Sequence, residues 1–457
     1  MFPPEFENLL AETLGKGRAS GLLAALEGAP ELSVRVNPAK ISPQTLREAF
    51  GEPDAEAVPW EGDAFYLRER PSFTLDPLFH AGAYYVQEAS SMYVGRLAMA
   101  ALDLTGLTGG APLRALDLCA APGGKSTQLL SLLPRDSLLV CNEAIRQRAF
   151  ILADNIAKWG AANSVVTNDD PSAFSALEGY FDLILADLPC SGEGMFRKDR
   201  GAVAEWSPAA VKLCAARQRR IVADVWPALR PGGCLIYSTC TFNDEENGRN
   251  VGALCASLGG SIVEERRFLP GEDRGEGFYC ALIRKNGGAD GSRANAPVSG
   301  KKGRRGLSGG GKGAAAGIPA RFAECVSGWI DGGEMVLQRK GDIIKGIPAA
   351  IADAVAPLEG RLHILSSGVA LAQEKGGEPV PHPDLALSTV LRRGAFGEVP
   401  LTIEEALRYL RREPLSLPGH PAGYLLVTYG GLPLGWVKNL GSRANNLYPA
   451  SRRILKG

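Results

Sequence analysis

The sequence LRALDLCAAPGGKSTQ, residues 113–128, decides the fold of this chain. Its apolar start, Leu113 to Leu118, has the character of a short buried strand in a parallel sheet. A turn of small residues follows, and from Ser126 onward the apolar residues recur at helical spacing. Strand, glycine turn and helix in this order predict a nucleotide-like ligand, because glycine lets a ligand approach the backbone and the first helical N–H groups point at it.

The composition of this turn restricts which ligand it can hold. Gly124-Lys125-Ser126 resembles the end of a P-loop, but a P-loop needs glycine at the position of Cys119, and G-x-G-x-x-G is also absent. A cationic ligand favours a nearby carboxylate, and Asp117 supplies one at the strand end. The stretch therefore favours S-adenosylmethionine (SAM) over a triphosphate, with a ligand-free αβ turn as the alternative.

Bulk composition excludes several classes of protein. The 457 residues are enough for two to four domains, and 50 basic residues balance 50 acidic ones, so no global field attracts a polyanion. Contacts with nucleic acid must then come from local patches. No charged-then-apolar leader opens the chain and no apolar run approaches the ~20 residues of a membrane span, so we expect a cytoplasmic protein without membrane contact.

Cysteine usage indicates a reducing compartment. The chain has nine Cys and four His, and no two Cys form a C-x-x-C pair. We therefore expect free thiols and no metal site.

Strands and helices alternate from residue 113 to residue 285, which predicts a doubly wound, mostly parallel α/β sheet of the Rossmann-like kind. We expect a small α/β N-terminal lobe at 1–105, which is either an RNA-binding lobe or a structural extension. The catalytic domain is expected at 106–286, a flexible linker rich in Gly, Ser and Lys at 287–317, and an RNA-binding region at 318–457. The linker contains four basic residues, Lys301, Lys302, Arg304 and Arg305. They either contact phosphates or form a solvated run of charge, and the sequence favours neither interpretation.

The last region ends in a predicted β-hairpin. Residues 423–429 and 434–438 read as strands around the turn Gly430-Gly431. Basic residues interleaved with Trp436 and Tyr448 on such a small β unit favour RNA binding.

Polar residues follow each strand of the predicted sheet at its carboxyl end, where open α/β sheets bind ligands. Glu143 ends the second strand near the usual place of the acid that takes ribose hydroxyls, and Asp169 and Asp170 follow the third. Cys190 follows the fourth strand and Cys240 ends the fifth, so both thiols face one crevice. A lone Asp is more often a helix cap, and a Cys190–Cys240 disulfide is the alternative that a reducing compartment disfavours.

Four segments resemble the motifs of the Sun/Nop family of SAM-dependent RNA cytosine-5 methyltransferases. They are DLCAAPGGKS (117–126), NEAIRQRAFILADNIAKWG (142–160), ADLPCSGEGMFRKD (186–199) and PGGCLIYSTCTFNDEEN (231–247). Upstream, SVRVNPAK and HAGAYYVQEASSM resemble the N-terminal lobe of that family. Downstream, GYLLVTYGGLPLGWVKNLGSRANNLYP (423–449) resembles the PUA-like tail of the RsmF-type 16S rRNA enzymes.

The resemblance implies a mechanism and roles for named residues. Cys240 of the T-C motif is the nucleophile that adds to cytosine carbon-6, Asp187 contacts the N3/N4 edge of the base, and Cys190 of the P-C motif assists loss of the carbon-5 proton. Glu143 would hold the ribose of SAM, and Asp169 or Asp170 the adenine. The complete set implied for SAM is Cys119, Ala120, Ala121, Pro122, Gly123, Gly124, Lys125, Glu143, Arg148, Asp169, Asp170 and Asp187, with Lys125 and the turn at the methionine end.

The implied substrate is small-subunit (16S) rRNA, free or within the 30S subunit, methylated by a monomeric enzyme. The same chemistry on tRNA is the close alternative. A non-catalytic ribosome-assembly factor that binds RNA is the alternative from another class, and the presence of both Cys190 and Cys240 argues against it.

Overall fold

The computed structural model describes residues 2–106, 112–287, 317–331 and 333–455. Apart from its two end residues, the predicted linker at 287–317 lies outside the described residues, including Lys301, Lys302, Arg304 and Arg305. No described helix is both long enough and apolar enough to cross a membrane.

The N-terminal segment forms a small antiparallel sheet in the order β2–β3–β1–β4, with helices around it. Its first helix does not pack on this sheet, because Phe6 lies against Phe196 and Trp206 of the central domain, with ring centroids 5.0 and 5.4 Å apart. The elements are α1 (Pro4–Leu14), α2 (Lys16–Ala25), β1 (Ser33–Val36), α3 (Pro43–Ala49), β2 (Ala57–Val58), β3 (Glu61–Tyr66), α4 (Pro77–His80) and β4 (Tyr84–Val86).

In the described part of the chain, an eight-stranded sheet in the order β10–β11–β9–β8–β5–β6–β7–β14 forms the centre of the molecule. Strands β5 to β9 run parallel, as the alternating pattern predicts. Its elements before residue 287 are α5 (Tyr93–Leu104), β5 (Arg114–Asp117), α6 (Gly124–Leu132), β6 (Leu138–Asn142), α7 (Arg146–Trp159), β7 (Ser164–Thr167), β8 (Phe181–Asp187), α8 (Arg200–Glu205), α9 (Pro208–Val225), β9 (Leu229–Thr239), α10 (Gly248–Leu258), β10 (Gly260–Phe268) and β11 (Phe278–Lys285).

Helices cover both faces of this sheet. Leu97 of α5, Leu129 of α6 and Leu152 of α7 are fully buried on one face. Val222 of α9 and Val251 of α10 are fully buried on the other. The helix α5, which ends at Leu104, thus belongs to the core of the central sheet although it precedes the predicted start of the catalytic domain.

The C-terminal region contributes a strand to the central sheet, which the sequence pattern does not predict. Its strand β14 pairs antiparallel with β7, with Ser367 opposite Val165. The remaining strands form two four-stranded sheets, β12–β13–β15–β16 and β17–β18–β19–β20, and the predicted hairpin is β18–β19. The elements are α11 (Ala320–Ser327), β12 (Met335–Lys340), β13 (Ile343–Pro348), α12 (Ala349–Val355), β14 (Ile364–Ser367), β15 (Val369–Lys375), β16 (Glu378–Pro381), α13 (Pro383–Leu387), β17 (Gly397–Pro400), α14 (Ile403–Leu410), β18 (Gly423–Tyr429), β19 (Leu432–Asn439) and β20 (Ala444–Asn446).

The order of the strands fixes where a ligand can bind. β6 and β7 lie on one side of β5, and β8 and β9 lie on the other, so the chain reverses direction across the sheet between β5 and β8. In open α/β sheets the ligand crevice opens at this reversal, beyond the carboxyl ends of the strands.

Candidate active site

The glycine turn lies between β5 and α6 at this carboxyl edge. Gly123 has φ of 111°, a left-handed conformation that favours glycine, and α6 begins at Gly124. A Cβ on Gly123 would lie 3.2 Å from Leu152 Cδ1, and one on Gly124 would lie 3.2 Å from Tyr85 Cε1. The turn is therefore packed tightly between α7 and the N-terminal sheet.

Two side chains of α7 bind the carbonyl oxygens of the turn. Arg148 Nη2 donates to Ala121 O at 2.9 Å, and Asn155 Nδ2 donates to Pro122 O at 2.8 Å. The candidate turn residues Cys119, Ala120, Ala121, Pro122, Gly123 and Gly124 thus form one loop that α7 holds in place.

Asp117 ends β5 directly below this turn and is fully buried. Ser126 Oγ donates to its Oδ2 atom at 2.6 Å, while Oδ1 is buried without a hydrogen-bond partner among the described residues. Burial raises the pKa of Asp117 to about 7, and the Ser126 hydrogen bond opposes that shift. An open acceptor is thus available under the N-terminus of α6.

Glu143 ends β6 and offers a second open acceptor. Its Oε1 atom accepts from the backbone N–H of Ile145 at 2.9 Å, and its buried Oε2 atom has no hydrogen-bond partner among the described residues. Arg148 Nη1 lies 3.3 Å from Oε2, close enough for charge attraction although this contact does not have hydrogen-bond geometry. Arg148 therefore stands between this carboxylate and the turn.

Asn142, which the sequence reasoning missed, ties the ends of three strands together. Its Nδ2 atom donates to Leu118 O and to Asp169 O, each at 3.0 Å. Its Oδ1 atom accepts from Thr167 Oγ1 at 2.8 Å and from Asp169 N at 3.0 Å. A fully buried amide at a strand end aligns the loops after β5 and β7, and its place beside Glu143 in NEAIRQRAF is the signal that could have found it.

The structure separates the two acids that follow β7. Asp170 is a helix cap, because its Oδ1 atom accepts from Ser172 N at 3.0 Å and its side chain is 56% exposed. Asp169 is half-buried, and its Oδ2 atom accepts from the backbone N–H of His363 at 2.9 Å. Burial raises the pKa of Asp169. Of the two, Asp169 is the acid that the C-terminal region contacts.

Lys125 and Asp187 form an ion pair across the point where the chain reverses direction. Lys125 Nζ donates to Asp187 Oδ2 at 2.8 Å, and Ser238 Oγ donates to Asp187 Oδ1 at 2.7 Å. The Asp187 side chain is 33% exposed. Both oxygens of this carboxylate are thus held while one side of the group stays open to solvent.

The two candidate cysteines meet, as their positions in the sequence predict. Their Sγ atoms lie 3.2 Å apart, which is hydrogen-bond distance for thiols, and both cysteines are free and partly exposed. β8 and β9 pair in parallel with Asp187 opposite Ser238, so the loops that carry Cys190 and Cys240 leave the sheet side by side. The hydrogen bond to Cys240 raises the pKa of the Cys190 thiol, and burial adds to this shift.

A fully buried carboxylate, Glu193, holds the loops of both cysteines. Its Oε2 atom accepts from the backbone N–H groups of Phe242 at 2.7 Å and Asn243 at 2.9 Å, just after Cys240. Its Oε1 atom accepts from Trp206 Nε1 at 2.9 Å. Glu193 therefore fixes the T-C loop from within the P-C loop.

Glu246 fixes the P-C loop from within the segment that follows the T-C motif. Its Oε2 atom accepts from Ser191 N at 3.0 Å, next to Cys190, and from Gln218 Nε2 at 2.8 Å. Burial raises the pKa of Glu246. Sequence reasoning missed both glutamates, although they lie inside the segments GEG and NDEEN. Glu246 lies just before α10, which begins at Gly248.

The structure gives three of the other cysteines a place in the core. Cys141, Cys234 and Cys280 are fully buried in the apolar core, and burial raises the pKa of Cys119. Among the described residues, no group of three His, Cys, Asp or Glu side chains is arranged to hold a metal ion.

Three family models match the chain, one in each part. Residues 111–284 match the model for 16S rRNA methyltransferase RsmB/F. Residues 2–89 match the N-terminal domain of 16S rRNA methyltransferase RsmF, and residues 396–454 match the RsmF PUA domain.

Solved structures share the fold of the central part. A methyltransferase homologue from Pyrococcus horikoshii is 27% identical, with a TM-score of 0.53 over 62% of this chain and 95% of the other. NSun6 from the same organism, solved with SFG, is 20% identical with a TM-score of 0.53 over 62% of this chain and 98% of that one. These similarities agree with a Rossmann-like methyltransferase core.

Curated relatives match over nearly the whole length. The ribosomal RNA small subunit methyltransferase F of Shigella sonnei (strain Ss046) is 32% identical over 98% of this chain and 96% of its own. The protein of that name from Escherichia coli (strain K12) is also 32% identical with the same coverage. The chain therefore belongs to the RsmF family of small-subunit ribosomal RNA methyltransferases.

Proposed function

We propose that this protein transfers a methyl group from SAM to carbon-5 of a cytosine in RNA, with small-subunit (16S) rRNA as the substrate. The observation that carries the proposal is the contact of two thiols, Cys190 and Cys240, at 3.2 Å on the same edge as Asp187. Membership of the RsmF family and the match to an RsmF PUA domain support rRNA as the substrate class.

The residues at the carboxyl edge fit SAM. Asp117 Oδ1 and Glu143 Oε2 are buried acceptors without hydrogen-bond partners among the described residues, and SAM presents an ammonium group and ribose hydroxyls as donors. We assign the turn of residues 119–124 with Asp117 to the methionine end, Glu143 to the ribose and Asp169 to the adenine side. Arg148 positions the turn and Glu143. Bound there, SAM supplies an electrophilic methyl group.

Cytosine carbon-5 is a weak nucleophile, and we assign Cys240 to make it more nucleophilic. Its thiolate adds to carbon-6, which makes carbon-5 enamine-like and able to take the methyl group. The target base must be unstacked to be reached from the side. The Cys190 sulfur lies at hydrogen-bond distance from the Cys240 sulfur, so a hydrogen bond between the two can stabilise the Cys240 thiolate.

Asp187 hydrogen-bonds the N3/N4 edge of the base and supports its protonation as the adduct forms. Lys125 and Ser238 hold the carboxylate in position, so Lys125 acts on Asp187 in addition to the role at the methionine end that the resemblance implies. After methyl transfer the carbon-5 proton must pass to a base, and we assign this role to Cys190 in its deprotonated form. The electrons of the broken C–H bond re-form the carbon-5–carbon-6 double bond, and Cys240 leaves carbon-6 as a thiolate.

The test is methyl transfer from tritiated SAM to 16S rRNA, both free and in 30S subunits, with bisulfite sequencing to locate the product. We expect a bisulfite-resistant cytosine with the wild type and no transfer with Cys240→Ala. Cys214→Ala, a half-buried cysteine on α9, is the matched control and keeps full activity. Absence of transfer to either RNA, or transfer to another atom, overturns the proposal.

A further inference from the structure

A large cleft separates α7 and β14 from the sheet that contains β12 and β13. Its volume is about 900 Å³, within the range of ligand-binding pockets. None of the thiols or acids assigned above lines it. Asn155, which binds the glycine turn from one side, lines the cleft from the other. The cleft is therefore a separate cavity that shares a helix with the SAM-binding edge.

The cleft carries cations without carboxylate partners. Lys340 and Lys345 project from β12 and β13, and neither forms an ion pair with a described residue. Lys345 Nζ donates only to Ser367 Oγ at 2.5 Å, and Lys340 Nζ donates to Ile364 O at 3.4 Å. Burial lowers the pKa of Lys345, and Glu359, which attracts the ammonium group without forming an ion pair with it, only partly opposes this shift.

The carboxylates of the cleft are already neutralised. Arg452 binds both of them, with Nε 2.5 Å from Asp154 Oδ1 and Nη2 2.8 Å from Asp384 Oδ1. Lys158 Nζ lies 3.0 Å from Asp154 Oδ2. The field inside the cleft is therefore positive, which favours an anionic occupant.

One wall of the cleft exposes large apolar side chains. Phe150 and Ile151 on α7 are 52% and 54% exposed, whereas Leu152 on the same helix is fully buried. Arg146 approaches the Phe150 ring, with Cζ 5.7 Å from its centroid. An exposed aromatic ring beside unpaired cations is the arrangement that binds single-stranded nucleic acid, because bases stack on the ring and phosphates meet the cations.

We propose that this cleft binds a single-stranded segment of the substrate RNA, with a base stacked on Phe150 and the backbone phosphates on Lys340 and Lys345. The inference rests on the proposed function for the identity of the RNA. It adds a binding site distinct from the thiol crevice and from the PUA-like hairpin. A second, smaller cavity of about 170 Å³ shares Asn155 and Lys158 with the cleft and reaches Tyr85 beside the glycine turn. This connection places the bound strand on the same helix that holds the SAM-binding turn.

The test uses the full chain and a short, fluorescently labelled single strand from 16S rRNA, titrated at several salt concentrations. For Lys340→Glu/Lys345→Glu we expect the Kd for RNA to rise at least about tenfold, and the slope of log Kd against log salt to fall by about 1.4, for two lost phosphate contacts. Phe150→Ala removes only an exposed ring, so it leaves the fold intact and should raise the Kd about tenfold. The Kd for SAM and the Tm should not change.

Lys212→Glu is the matched control, because this exposed lysine lies on α9, across the sheet from α7. It should leave the Kd for RNA close to that of the wild type. An unchanged Kd with both Phe150→Ala and the double variant overturns the cleft proposal even if the wild type methylates rRNA. If the variants lose RNA binding but the wild type transfers no methyl group, the proposed function fails and the cleft proposal stands.

Discussion

The ammonium group of Lys125 donates to Asp187 Oδ2 at 2.8 Å, which joins the start of α6 to the end of β8. Burial lowers the pKa of Lys125, but the carboxylates of Asp187 and, to a smaller extent, Asp117 raise it, and the net shift is upward. The sulfur of Cys240 acts in the same direction. The cation beside the glycine turn is therefore coupled electrostatically to both the acid and the nucleophile of the proposed reaction.

Removal of this cation should reduce the rate of methylation more than the binding of SAM. For Lys125→Met we expect kcat to fall about a hundredfold, because Asp187 loses the charge that positions it. Asp187→Asn should lower kcat by at least as large a factor. The double variant should lose less than the product of the two separate losses, since the residues act as one unit. Steady-state kinetics on 16S rRNA measure this, and strictly multiplicative losses would show that the ion pair has no catalytic role.

The strand ends of the site were predictable from the sequence, because parallel strands all present their carboxyl ends at one edge. Placing Cys190 and Cys240 at the ends of neighbouring strands was enough to predict that they meet. The Lys125–Asp187 pair was not predictable, since it depends on the side-chain rotamers of one residue on α6 and one at the end of β8. Glu193 and Glu246 were missed because a carboxylate in a loop is normally solvated, and only the fold shows that these two are buried.

Strand β14 was missed for a different reason. It has only four residues, Ile364–Ser367, and it lies far along the chain from its partner β7. Local patterning carries no information about such a distant pairing. Through β14, the C-terminal region therefore shares the central sheet with the methyltransferase core.

Cys190 offers the sharpest test of the proposed roles. In Cys190→Ala, Cys240 can still add to carbon-6, and carbon-5 of the base can still accept the methyl group, but loss of the carbon-5 proton is slowed. We expect a protein–RNA adduct that survives SDS electrophoresis and depends on SAM. Cys190→Ala/Cys240→Ala should form none. If the single variant turns over normally without an adduct, Cys190 is not the residue that assists release.

Asp117 predicts a pH dependence for SAM binding. Its pKa is raised to about 7, mainly by burial, so the carboxylate is mostly protonated below that pH and charged above it. A cationic ligand binds the charged form, and its affinity should therefore rise with pH. Between about pH 6 and about pH 7.5 the ionised fraction increases roughly eightfold, and the Kd for SAM should fall by a similar factor. Calorimetry measures this, with Asp117→Asn as the control that binds weakly at both pH values. If the Kd of the wild type is as independent of pH as that of Asp117→Asn, the role assigned to Asp117 is wrong.

His363 connects the C-terminal region to Asp169, the acid proposed to face the adenine of SAM. Its backbone N–H donates to Asp169 Oδ2 at 2.9 Å, and its carbonyl accepts from Asn168 N at 3.0 Å. Proline removes this N–H, so His363→Pro should weaken SAM binding by about tenfold to a hundredfold, the value of one hydrogen bond to a charged group. His363→Ala keeps the N–H and should bind SAM as the wild type does. A loss of affinity in both variants would assign the effect to the imidazole, and no loss in either would mean that Asp169 holds its position without the C-terminal region. Because β14 also pairs with β7, the Tm of His363→Pro must be measured alongside, and a lowered affinity at an unchanged Tm identifies the N–H as a positioning group for the cofactor.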